Sequence, residues 1–198
     1  MLVRNRMSKK VVTVEPQETL AAARALLRRH QIRQLPVLRR QRLAGIVTDR
    51  DLRSASPAAT VVGDVMTPRP SVITADAFVD DAARLLRRRK IGALPVVDGH
   101  RLVGILTASD VLDAFVDVSG VTESTYRIVL SGGAGKRAER QVRDLIHKHR
   151  GELKWLHRSS RAPAQLHLRL KAARIDDLVT ALEAAGFEAA AVVAPVRR

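Results

Sequence analysis

The chain has 198 residues, 46% of them hydrophobic, which is enough for one ordinary domain or two small ones and too apolar for a disordered chain. It holds no cysteine, so disulfides, thiolate catalysis and Cys-ligated metals are excluded, and with 3% aromatics the core must be built from Leu, Val, Ile and Ala. The net charge is +15, carried as +9 in residues 1–60, −1 in 61–120 and +7 in 121–198; such an excess fits solvated faces, an arginine-rich composition or an anionic partner. Met1 to Arg6 is not followed by the apolar stretch of a signal peptide, and no apolar run approaches ~20 residues, so a cytoplasmic protein without a membrane span is expected.

In chain order, the first predicted element is a short β-branched strand, Val11 to Val14. A helix follows, with Thr19 as N-cap and Leu20, Ala23 and Leu27 on one face. Two strands come next, Leu35 to Leu38 and Leu43 to Thr48, joined by the basic turn Arg39 to Arg42, and a further helix starts near Thr48. The whole unit then recurs without a gap at an offset of 59: Met7 matches Met66, Leu26 to Arg29 match Leu85 to Arg88, Leu35-Pro36-Val37 matches Leu94-Pro95-Val96, and Gly45, Thr48 and Asp51 match Gly104, Thr107 and Asp110. In the second copy the predicted strands are Val72 to Thr74, Leu94 to Val97 and Leu102 to Thr107, with Asp98-Gly99 as a hairpin turn. Each β-α-β-β-α unit is too small to bury a sufficient core alone, and two copies packed together solve that.

The stretches Ile32 to Val37 with Gly45 to Leu52, and Ile91 to Val96 with Gly104 to Leu112, resemble CBS motifs, and the pair resembles a Bateman module over about residues 1–118. The resemblance implies an α+β fold with two pseudo-symmetric clefts that bind AMP, ADP, ATP, S-adenosylmethionine or a related nucleotide as a regulatory ligand, with no cofactor required and no catalysis. It divides the chain into motif 1 (1–59) and motif 2 (60–118).

Thr48-x-x-Asp51 and Thr107-x-x-Asp110 sit where a strand gives way to a helix. A capping box alone explains that spacing. The same geometry also suits a nucleotide: free N–H groups at a helix start favour phosphate, and a carboxylate accepts from two ribose hydroxyls. The resemblance assigns those roles to Thr48, Asp51, Thr107 and Asp110. It places the adenine against Thr13-Val14 and Val72-Ile73, with backbone from Leu35-Pro36 and Leu94-Pro95. The two clefts differ in charge. Arg33-Gln34 and Asp49-Arg50 in the first copy face Gly92-Ala93 and Ala108-Ser109 in the second, so Arg33 and Arg50 make the Asp51 cleft the expected polyphosphate site.

Residues 119–124 read as a polar linker. Beyond it come strand Tyr126 to Leu130, a Gly-rich loop (Ser131 to Lys136), helix Arg137 to His149, strands Gly151 to Arg158 and Gln165 to Lys171, helix Ile175 to Ala185 and strand Phe187 to Ala194, with Gly151 and Gly186 fitting the positions just after helix ends. The sum is a ferredoxin-like βαββαβ domain over 125–198. Following a CBS pair, it resembles an ACT-like domain, as in CBS–ACT proteins of the acetoin-utilisation type. The loop Ser131 to Lys136 departs from the acid-x-x-Pro-Gly pattern of amino-acid-binding ACT domains, and a plain turn is the reading preferred for it.

His147 and His149 are two apart on a helix and do not share a face, and with His157 and His167 they read as surface histidines, leaving no metal site. An RNA-recognition sheet stacks bases on strand aromatics. The strands here offer Tyr126 and Trp155 alone, and no helix-turn-helix signal is present, so nucleic acid is not the expected partner. The leading expectation is a regulatory sensor acting on an unidentified protein partner or on its own homodimer. The competing one is a basic nucleic-acid-associated or protein-interaction scaffold gated by the CBS pair.

Overall fold

The computed structural model describes residues 1–56, 59–119, 124–133, 135–159 and 164–195. The chain divides into two units, Met1–Ala114 and Phe115–Arg198.

In the first unit, α1 (Leu20–His30) is capped by Thr19, whose hydroxyl accepts the Ala22 N–H at 3.1 Å. Gln31 then turns the chain in the left-handed region (φ 52°), and Lys90 does the same (φ 54°) after the equivalent α4 (Val79–Arg89). The hairpins β1 (Gln34–Arg39)–β2 (Arg42–Thr48) and β5 (Ala93–Asp98)–β6 (Arg101–Thr107) follow the two helices. The turn predicted at Asp98-Gly99 forms with Gly99 at φ 59°, while in the first copy Arg40 and Gln41 adopt positive φ without a glycine. Arg42 pairs with Arg101, so the hairpins join into one sheet in the order β1-β2-β6-β5-β4, with β3 (Thr67–Pro68) added on β2.

The strand expected at Val11 to Val14 is reduced to a single bridge, Val14 to Val37. Its equivalent is the two-residue β4 (Ile73–Thr74), parallel to β5. A turn follows each segment directly, over residues 15–18 and 75–77, and cuts the pairing to one or two positions before the helix begins.

The two small cores mirror each other at the offset of 59. Val14, Ala23, Leu27, Leu35, Val37 and Val47 fill one, and Ile73, Ala82, Leu86, Leu94, Val96 and Leu106 fill the other. One equivalent pair is exchanged. Val3, fully buried, belongs to the second repeat's core, and Val62, equally buried, belongs to the first's. The backbone follows: Val3 and Arg4 donate to the Ala77 and Ala75 carbonyls (both 2.9 Å), while Val62 and Gly63 donate to Glu18 and Pro16 (2.9 and 2.8 Å). Each arm next lays a methionine on a glycine of the receiving hairpin. A Cβ on Gly104 would stand 2.6 Å from Met7 Sδ, and one on Gly45 would stand 2.7 Å from Met66 Sδ.

The second arm forms the single turn α3 (Val62–Val65), held by Asp64, whose Oδ2 accepts from the Thr60 and Val61 N–H groups at 2.9 and 3.1 Å. These bonds favour the carboxylate and hold Asp64 below its ordinary value of 3.8. A lowered carboxyl contributes stability that is present above that ordinary value and lost as pH falls through the lower one. Asp64→Asn is therefore expected to shrink the difference in thermal midpoint between pH 6 and pH 3.

The helices that close the two repeats differ in length. α2 spans Asp49–Arg53, whereas its equivalent α5 spans Ala108–Ser119. Ser54 Oγ turns back onto the Arg50 carbonyl at 2.9 Å, and Pro57 follows in the sequence; Pro cannot continue a helix. The division between the units falls within α5.

The second unit has the order β7 (Tyr126–Ser131), α6 (Lys136–Lys148), β8 (Glu152–Arg158), β9 (Leu166–Lys171), α7 (Ile175–Ala184), β10 (Glu188–Val193). Its antiparallel sheet runs β10-β7-β9-β8. Ile128, Leu130, Leu166, Leu168 and Leu170 face one side and are buried with Val142 and Ile146 of α6 and Leu178 and Leu182 of α7. Gly186 has the expected left-handed φ of 90°. At the end of α6 that conformation falls on Arg150 (φ 54°) rather than on Gly151. Gly151 is required for space instead, since a Cβ there would meet Ile146 Cγ2 at 2.9 Å. The predicted linker 119–124 lies at 120–123 outside the described residues, as does Ala134 of the Gly-rich loop. Among the described residues no helix is long and apolar enough to cross a membrane.

Candidate functional site

Both Thr-x-x-Asp elements form reciprocal caps. Asp51 N–H donates to Thr48 Oγ1 at 3.2 Å, while Asp51 Oδ2 accepts from the Thr48 N–H at 2.8 Å and from its hydroxyl at 2.7 Å. In the second copy the Asp110 N–H to Thr107 Oγ1 distance is 3.3 Å, and Asp110 Oδ2 accepts both Thr107 donors at 2.7 Å. The capping expectation is thus realised, and it uses one oxygen of each carboxylate. Oδ1 of Asp51 and of Asp110 has no hydrogen-bond partner among the described residues, and both side chains are half-buried. A carboxylate pinned through one oxygen, with the other free, is a pre-oriented acceptor.

The hairpin register assembles the rest. Gln34 is the partner of Thr48 and Ala93 the partner of Thr107, so the residues before each Leu-Pro-Val strand stand beside the capped aspartate. The Asp49 N–H donates to the Arg33 carbonyl at 2.9 Å and the Ala108 N–H to the Gly92 carbonyl at 3.0 Å, tying each helix start to that loop. Val14 and Ile73 lie alongside the same strands, at Val37 and Val96. Across the two copies, Gln34 Oε1 lies 3.9 Å from the position of a Cβ on Gly92.

The predicted residues therefore gather at one end of each hairpin, but unequally. Thr13, Gln34, Thr48, Asp51, Thr107 and Asp110 are half-buried, and Arg33, Arg50, Val72 and Ser109 are exposed. Val14, Leu35, Pro36, Ile73, Ala93, Leu94 and Pro95 are buried, and the Val14, Leu35 and Leu94 side chains are sealed in the two cores, leaving them backbone atoms to offer. Arg33 and Arg50 make no ion pair among the described residues, whereas Asp49 pairs with Arg53 at 3.1 Å. The five-residue α2 supplies a much shorter dipole behind the first site than α5 supplies behind the second, a difference that residue pairing at the offset of 59 does not register.

The family model for the CBS domain matches residues 3–58 and 62–117. The chain belongs to the CBS domain family. Inosine-5′-monophosphate dehydrogenase of Mycobacterium leprae is 38% identical over 138 residues, 68% of this chain and 26% of the dehydrogenase. The chain thus spans about a quarter of that relative, and the likeness runs through its CBS segment. Among solved structures, CBSX2 in complex with AMP is 34% identical with a TM-score of 0.56, covering 59% of this chain and 97% of that one. The CBS pair of protein MJ0100, in complex with 5′-methylthioadenosine and S-adenosyl-L-methionine, is 29% identical with a TM-score of 0.57, covering 59% and 97%.

Proposed function

We propose that this CBS pair is a non-catalytic regulatory sensor of an adenine nucleotide (AMP, ADP, ATP or S-adenosylmethionine), which passes its occupancy to a protein partner or to its own homodimer. The observation that carries this reading is the free Oδ1 on each of two capped aspartates, in two copies of a CBS repeat. In it, Asp51 and Asp110 accept the ribose hydroxyls, Thr48 and Thr107 orient them, and strand-edge backbone at Leu35-Pro36 and Leu94-Pro95 borders the base. Thr13-Val14, Val72-Ile73 and Ala93 close the sides. Arg33, Gln34 and Arg50 draw phosphates to the Asp51 cleft, and Ser109 leaves the other suited to a less charged nucleoside. Signalling requires that the nucleotide bind one conformation better than another. The strand order of the second unit, with its helices on one face, supports an ACT-like, ferredoxin-like domain over 125–198, after motifs at 1–59 and 60–118 and a linker at 119–124.

Thermal unfolding with each nucleotide tests the reading. Ligand at ~100 times its dissociation constant should add about 2.7 kcal/mol. Asp51→Asn and Asp110→Asn keep an oxygen for the threonine cap and turn the free acceptor into a donor. Each should abolish the shift from its own cleft at little cost to the ligand-free midpoint. Absence of any shift in the wild-type protein, with all four nucleotides, would reduce both elements to capping boxes.

A further inference from the structure

We infer that the open face of the C-terminal sheet binds single-stranded nucleic acid. One face of that sheet is buried under α6 and α7. On the other, the strand register lines up two rows: Val193, Arg127, Arg169 and Trp155, then Ala191, Val129, His167 and His157. Neither row contains an acidic residue, and Arg127 and Arg169 make no ion pair among the described residues. The Trp155 and His157 rings stack at 5.5 Å between centroids and 19° between planes, a short aromatic stack at the end of the arginine row. Phe115, in the same unit, stands perpendicular to the indole, with the ring centroids 6.5 Å apart. A shallow depression on this face is lined by Arg127, Val129, Trp155, His167, Arg169 and Val193.

The combination selects the partner. Adjacent strands place the two guanidinium stems about 5 Å apart, and guanidinium forks match phosphate oxygens. A planar ring beside them offers a stacking surface to an unpaired base, which every base satisfies through its π-face. A duplex hides its bases, and an acidic peptide uses the arginines while leaving the aromatic stack idle. The strand aromatics Tyr126 and Trp155 lie on opposite faces of the sheet: Tyr126 packs with the helix-covered core, while Trp155 stands on the open face. The inference is independent of what the CBS clefts bind.

Trp155 is the chain's one tryptophan, so its fluorescence reports on this face directly. The full chain would be titrated with a labelled 12-mer of uridylate and one of thymidylate, following indole quenching and label anisotropy together, with duplex DNA and inorganic polyphosphate as comparators. The expected result is saturable quenching by both single strands at affinities well above those for the duplex. Two arginine–phosphate contacts should give a salt slope of about −1.4 in log–log form. Arg127→Ala with Arg169→Ala should flatten that slope, and Trp155→Leu should weaken anisotropy-detected binding by roughly 5- to 150-fold. Arg127 is exposed and Arg169 and Trp155 are half-buried, and thermal midpoints of the variants establish that the sheet is intact. The inference is overturned by no binding, by binding without quenching that survives the double arginine variant, by equal binding of duplex or polyphosphate, or by a self-association that the arginine variant abolishes.

Discussion

Gly104→Ala is expected to destabilise the CBS pair by about 1–3 kcal/mol, the usual range for forcing a methyl group into a filled site. The position is closed by the chain's own first residues: the new Cβ would meet Met7 Sδ at 2.6 Å, Met7 Cγ at 3.0 Å and the Ser8 carbonyl at 3.1 Å. Ser8 is not free to retreat, because it exchanges backbone bonds of 2.9 and 3.0 Å with Ile105. Adding Met7→Ala removes the closest of these atoms. Residues in contact couple by about 0.5–3 kcal/mol in double-mutant cycles, and a stabilising coupling between these two changes is the expected outcome. Chemical denaturation of the four proteins reads it, and additive effects would mean that the arm is not seated on Gly104.

Val3→Asp is the harsher substitution. Val3 has no exposed surface and lies in the second repeat's core with Leu86, Leu94 and Leu106. A carboxylate there has no partner, and an uncompensated buried charge costs about 3–5 kcal/mol. The loss should be registered by the repeat that Val3 serves. Amide protons of β5 and β6 are expected to lose protection from exchange before those of β1 and β2, whereas Val62→Asp should reverse the order. Equal loss in both repeats would show that the exchanged arms make no distinction between them.

These two substitutions probe what was hardest to read from residues alone. The offset of 59 makes Val3 and Val62 equivalent, and their apolar, β-branched character marks both as core. Equivalence does not say which copy receives which arm, because the two cores are near-identical in composition. The hairpins were legible because Leu-Pro-Val, the Gly-Ile pairs and Asp98-Gly99 set both the strands and their turn. The C-terminal elements were legible to within a residue or so, since Leu166, Leu168 and Leu170 alternate with His167 and Arg169. The segments at Val11–Val14 and Val72–Thr74 were read as full strands because residue type reports β preference and not how many ladder partners exist. At the candidate site, the Thr-x-x-Asp spacing dictated the cap. That one carboxylate oxygen stays free in each copy depends on three-dimensional neighbours. The brevity of α2 was written in Ser54 and Pro57, yet the repeat logic pointed to a helix like α5.

The crossed arms also bear on how the molecule can be assembled. Residues 1–8 are synthesised before β5 and β6 and have no seat until those strands exist, roughly a hundred residues later. During synthesis Val3 and Met7 remain exposed, and the nascent first repeat is sealed by Val62 alone. Long-range closures of this kind slow folding. The same geometry makes the pair divisible in an unusual way. Cut between the repeats near residue 59, each piece would carry the lid of the other, so neither would close alone and the two together would have reason to find each other.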